Sequence, residues 1–118
     1  MNSVNIVIIG LGKIGKFFLN QLIQRSNLGL NIVCVVEPRE TEGKSIAHTN
    51  AIAIVGLDDV IDFAEDVDFI FNLTGDDNVQ ESLQKELKAA NNTRTEVVSA
   101  HVLKVIWSML TDEPIPVR

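Results

Sequence analysis

The stretch VNIVIIGLGKIGKFFLNQL, Val4 to Leu22, decides the fold of this 118-residue chain. Its opening run is β-branched with little polar alternation, the signature of a strand covered on both faces in a parallel sheet. It meets Gly10, Gly12 and Gly15, spaced G-x-G-x-x-G, and passes into a helical stripe of Ile14, Phe18 and Leu22. Each glycine has a distinct task in such a turn. Gly10 would permit the sharp bend, Gly12 would let the backbone approach a pyrophosphate, and Gly15 would let helix and strand lie close. The helix N-terminus then offers unpaired N–H groups and a positive dipole end to an anion. A strand before the glycines and a helix after them separate this motif from glycines scattered in loops. The candidate cofactor-binding positions here are Gly10, Leu11, Gly12, Lys13, Ile14 and Gly15.

Further along, apolar clusters recur at Ile32–Val36, Ala51–Val55, Val67–Leu73 and Glu96–Val98, with helical patterns between them. Leu57 to Ala64 suits a turn or two of helix. Val79, Leu83 and Leu87 are spaced for another, and the polar stretch 37–50 suits a loop holding one short helix. Alternation of this kind predicts a three-layer α/β domain with a doubly wound parallel sheet of five or six strands. Glu37 closes the second strand, 22 positions beyond Gly15, near the separation of about 20 at which an acid grips the adenosine ribose. That carboxylate favours NAD and repels a 2′-phosphate, while Arg39 leaves NADP open. At the exit of "DFIFNLTGDDNVQ", Thr74 and Gly75 are expected to face the cofactor, the Thr74 hydroxyl as a donor. Asp76 or Asp77 suits a helix N-cap better than a catalytic acid.

Composition bounds the rest. The net charge of −6 works against nucleic acid and anionic membrane as partners. No apolar run is long enough to cross a bilayer, and no signal-peptide pattern precedes Val4, so a cytoplasmic location is expected. The single cysteine, Cys34, lies in an apolar strand and reads as a small buried hydrophobe. His48 reads as a surface residue. His101 follows a strand, but Ser99 before it looks like an N-cap, and no acid stands nearby to orient it. No metal-ligand spacing is evident, and no catalytic residue is assigned. Residues 1–113 are expected to form the dinucleotide-binding domain and 114–118 a tail or the start of a linker. From His101 to Leu110, seven of ten residues are apolar, more than one sheet-facing stripe can hide. A homodimer through this helix is the expected solution.

The stretches "IVIIGLGKIGKFFLNQL", "VVEPRETEGKSIA" and "DVDFIFNLTGD", in this order, resemble the amino-terminal Rossmann-type domain of a set of dehydrogenases. The similar groups are the homoserine and aspartate dehydrogenases, dihydrodipicolinate reductase and the glucose–fructose oxidoreductase group. The closing "EVVSAHVLKVIWSML" is similar to small Rossmann domains that stand alone or are fused to signalling modules. The resemblance implies a nicotinamide dinucleotide as cofactor. Two departures qualify it. The oxidoreductases carry a Glu-Lys-Pro triplet where this chain has Val98, Ser99 and Ala100, and they need a substrate domain longer than this whole chain. S-Adenosylmethionine, the rival ligand, is usually bound with an acid just before the glycines, where Ile8 and Ile9 stand. The leading expectation is therefore NAD(H) binding in a regulatory or sensory setting, without catalysis by this chain alone. The alternatives are the cofactor domain of an oxidoreductase and a ligand-free association module.

Overall fold

The computed structural model describes residues 3–116. Strands β1 (Val4–Ile9), β2 (Leu30–Val36), β3 (Phe69–Asn72) and β4 (Glu96–Val98) form one parallel sheet in the order β2-β1-β3-β4. The chain steps from β1 outward to β2, returns past β1 to β3, and continues the other way. A crevice opens where that direction reverses, at the carboxyl ends of β1 and β3.

The sheet has four strands, fewer than the five or six expected. The segment read as a strand at Ala51–Val55 is reduced to a single parallel bridge of Ile54 to Val35. Val35 N–H donates to Ala53 O and Val55 N–H to Val35 O, both at 2.9 Å. Ala51 turns out of the preceding helix with φ 56°, and a 3₁₀ turn starts at Leu57. The extended piece between them is too short for a longer register.

Among the described residues five α-helices cover the sheet: α1 (Lys13–Gln24), α2 (Glu42–Thr49), α3 (Val60–Phe63), α4 (Asp77–Ala89) and α5 (Ala100–Leu110). Successive β1 side chains point to opposite faces. Ile6 and Ile8 pack with Phe18, Leu19, Leu22, Ala47, Leu103 and Trp107, so α1, α2 and α5 share one face. Val7 and Ile9 pack with Val60, Leu83 and Leu87, so α3 and α4 share the other. The result is the three-layer arrangement expected. Burying each such Leu or Ile stabilises the domain by about 1.5–3 kcal/mol.

Capping fixes where the helices begin. Thr41 Oγ1 accepts the Lys44 N–H at 3.1 Å, Asp76 Oδ1 accepts that of Asn78 at 2.8 Å, and Ser99 Oγ that of Val102 at 3.4 Å. Asp76 and Ser99 thus serve as the N-caps the sequence suggests. Helix α1 differs: its N-cap is Gly12, with no side chain to offer.

Candidate functional site

The three glycines of the β1–α1 turn stand in three different environments. Gly10 has φ +95°, a conformation L side chains rarely adopt, and a Cβ there would stand 3.2 Å from the Leu73 and Thr74 backbone. At Gly15 a Cβ would lie 2.0 Å from Gly10 O, so any side chain would push α1 off the strand. Both are demanded by the fold. Gly12 is not: its φ is −74°, and a Cβ would meet no protein atom within 4 Å. It lines the crevice with its backbone bare, at the uncapped start of α1, where the helix dipole presents its positive end. The protein itself gives no steric reason for a glycine at this position.

Glu37 follows β2 and is 3% exposed. Its Oε1 accepts the Leu11 N–H at 2.8 Å, and its Oε2 accepts the Arg39 N–H at 3.1 Å and Nε–H at 3.3 Å. Burial raises the pKa of the carboxyl. Hydrogen bonds from the Arg39 side chain and from the Leu11 and Arg39 backbone, with the guanidinium charge, outweigh it and hold the pKa below the usual carboxylate range. The acid therefore stays ionised and is braced against the glycine turn. The Arg39 side chain is mostly exposed above it.

Helix α2 tightens the same turn from outside. A Cβ on Gly43 would lie 2.9 Å from both Leu11 Cβ and Leu11 O, and Lys16 Nζ donates to Glu42 Oε2 at 2.5 Å. Nothing in the sequence pattern singled out Gly43. Its requirement for glycine comes from a contact between segments more than thirty positions apart.

These elements enclose a cleft of about 1040 Å³. Of the residues expected to contact a cofactor, Gly10, Gly12, Lys13, Ile14, Gly15, Glu37, Arg39 and Thr74 line it. Leu11 is buried behind the cleft, with its N–H donated to Glu37. Gly75 is exposed at φ +70° and is not among the lining residues. Thr74 is differently employed than expected. Its hydroxyl donates to Asn72 Oδ1 at 2.7 Å and accepts the Asp76 N–H at 3.0 Å, so its one hydrogen is committed within the loop. Asn72 is itself buried, and its amide donates to Gln80 Oε1 at 3.0 Å. Lys44, Ile54, Val55 and Pro116 also line the cleft and were not foreseen. Ile54 and Val55 had been read as strand, and the prolines of the final stretch as tail.

The other candidates fall into place. His101 is exposed in the first turn of α5, and His48 is exposed on α2. Cys34 is fully buried, and that burial raises its thiol pKa to about 11. Among the described residues, no three His, Cys, Asp or Glu side chains are grouped to hold a metal, and no helix is long and apolar enough to cross a membrane.

Residues 4–97 match the model of an oxidoreductase family (GFO_IDH_MocA) with an NAD-binding Rossmann fold. The chain belongs to this family. No relative was found among curated proteins. The fold is similar to that of RSP, a Rex-family repressor, in its complex with NADH: TM-score 0.61 and 17% identity over 92% of this chain and 58% of RSP. An engineered D-amino acid dehydrogenase bound to NADP+ gives TM-score 0.56 and 17% identity over 83% of this chain. Homoserine dehydrogenase of S. aureus gives TM-score 0.55 and 20% identity over 95% of this chain. The chain spans 58% of the repressor's length, and 27% and 30% of the two dehydrogenases.

Proposed function

We propose that this NAD-binding domain holds NAD(H) across the β2, β1 and β3 strand ends and serves a regulatory or sensory role, without catalysis of its own. In this reading the pyrophosphate lies against the Gly12 backbone and the start of α1, beside Lys13 and Ile14. Glu37 and Arg39 face the adenosine ribose, and Thr74 borders the nicotinamide half. The observation that carries the reading is Gly12, whose bare backbone lines the cleft at the start of α1. Glu37 offers the ribose hydroxyls what acceptor capacity it has left and disfavours a 2′-phosphate. The non-catalytic part rests on Val98, Ser99 and Ala100 standing where the related oxidoreductases carry Glu-Lys-Pro.

Calorimetric titration with NAD+, NADH, NADP+ and NADPH tests binding, and no heat with any of them would defeat it. A sensor must also bind its two ligand states unequally, because a ligand shifts an equilibrium only by its differential affinity. Equal affinity for NADH and NAD+ would count against the sensory role. Steady NADH turnover on small oxo-acids, semialdehydes or sugars would favour the second reading, the cofactor domain of an oxidoreductase. That reading draws on the family description and on the fraction of each dehydrogenase that the chain spans. In either case α5 is the proposed self-association surface, with Val102, Val105, Met109 and Leu110 exposed along it.

A further inference from the structure

Helix α5 is capped by Ser99, just past the carboxyl end of β4, and extends for about 16 Å at 1.5 Å per residue. Yet Pro116, just beyond its far end, lines the cleft. The chain must therefore reverse. Thr111 leaves the helix in an extended conformation, and its Oγ1 accepts the Glu113 N–H at 3.2 Å. The Trp107 indole N–H donates to Glu113 O at 3.0 Å, and the ring, 4% exposed, is held against Phe17 of α1 at 4.1 Å between centroids. The chain bends at Asp112 and Glu113, and the residues after them lead it to Pro116 at the cleft.

The strap starts from the side of the molecule on which α5 packs. Leu103 and Trp107 join a cluster with Phe71 and Leu73 at the end of β3 and with Phe17 of α1. Glu37 stands at the other end of the cleft, after β2. A dinucleotide with its adenosine at Glu37 and its pyrophosphate at Gly12 has its second nucleoside toward the strap. With Pro116 in place the cleft still measures about 1040 Å³, at the upper end of ligand pockets, so the strap acts as a wall and not a plug.

Resting on the nucleotide reading above, we infer that residues 111–116 form the wall against the second nucleoside of the dinucleotide, and that Trp107 is the residue that positions this wall. The test is titration of the full chain, and of its Trp107→Phe and Pro116→Gly variants, with NADH and with ADP, which lacks the second nucleoside. Loss of the one pinning hydrogen bond in Trp107→Phe should weaken NADH by about two- to tenfold, with ADP affinity unchanged. Pro116→Gly, at a residue outside the core, should act in the same selective direction. A ratio of NADH to ADP affinity that stayed constant in both variants would overturn the inference while leaving nucleotide binding intact. If Trp107→Phe fails to fold, Pro116→Gly decides alone. A wild-type chain that bound neither ligand would overturn the nucleotide reading and this inference with it.

Discussion

Glu37 and Leu11 stand 26 positions apart in the chain and are joined by a 2.8 Å hydrogen bond from the Leu11 N–H to the Glu37 carboxylate. One side chain therefore braces the glycine turn and also faces the cleft beside it.

That double duty changes what a substitution should do. Glu37→Ala removes an acceptor and leaves a buried N–H without a partner, which costs about 1–3 kcal/mol of stability. The same change should weaken NAD binding by about ten- to a hundredfold, as expected for lost charge-assisted bonds. Urea denaturation reads the first effect and calorimetry the second. Loss of affinity at unchanged stability would show that the brace carries little free energy.

The depressed pKa of Glu37 sets a pH dependence. Protons bind the unfolded carboxyl more readily than the folded one, so its contribution is complete above the ordinary value of 4.5 and disappears as pH falls through the folded pKa. The stability gap between wild type and Glu37→Gln should therefore be constant near neutrality and narrow below about pH 4.5. Denaturation midpoints collected from pH 7 to pH 3 measure it. A gap that widened on acidification would reverse the sign assigned here.

The glycines should separate by mechanism. Gly15→Ala places a Cβ 2.0 Å from Gly10 O and should lower the melting temperature severely or prevent folding. Gly12→Val points its side chain into open cleft, so the domain should fold with little change in stability and fail to bind NADH. Circular dichroism melts beside calorimetry distinguish the two.

Helix α5 offers a comparable contrast. Trp107 is 4% exposed and Met109 79%, so the two sit on opposite sides of the self-association question. Met109→Asp should leave the fold intact and convert a dimer to a monomer in sedimentation velocity at micromolar concentration. A monomeric wild type would assign the exposed face to another partner.

The architecture was legible because its signals are local. Val4–Ile9 is nearly continuous in apolar character, the glycines follow at once, and Asp76 and Ser99 lie beside the helices they cap. Where the reading fell short, pairings that no residue pattern encodes decided. Ile54 looks like strand, but its pairing with Val35 ends at one bridge because the turns around it leave no room. Thr74 looks like a cofactor donor, but a buried Asn72 takes its hydrogen. The prolines of the final stretch look like a tail, and the Trp107–Glu113 bond together with the place of Pro116 at the cleft shows that the chain turns back.

Cys34 has one further consequence. It is the only thiol in the chain, lies fully buried within β2, and has its pKa raised to about 11. A thiol-specific reagent can reach it only when the structure opens, so the labelling rate times the opening. The chain thus carries a chemical clock in its own core. A ligand that binds only the closed form should slow that clock in proportion to its saturation, giving an affinity without heat or enzyme assay.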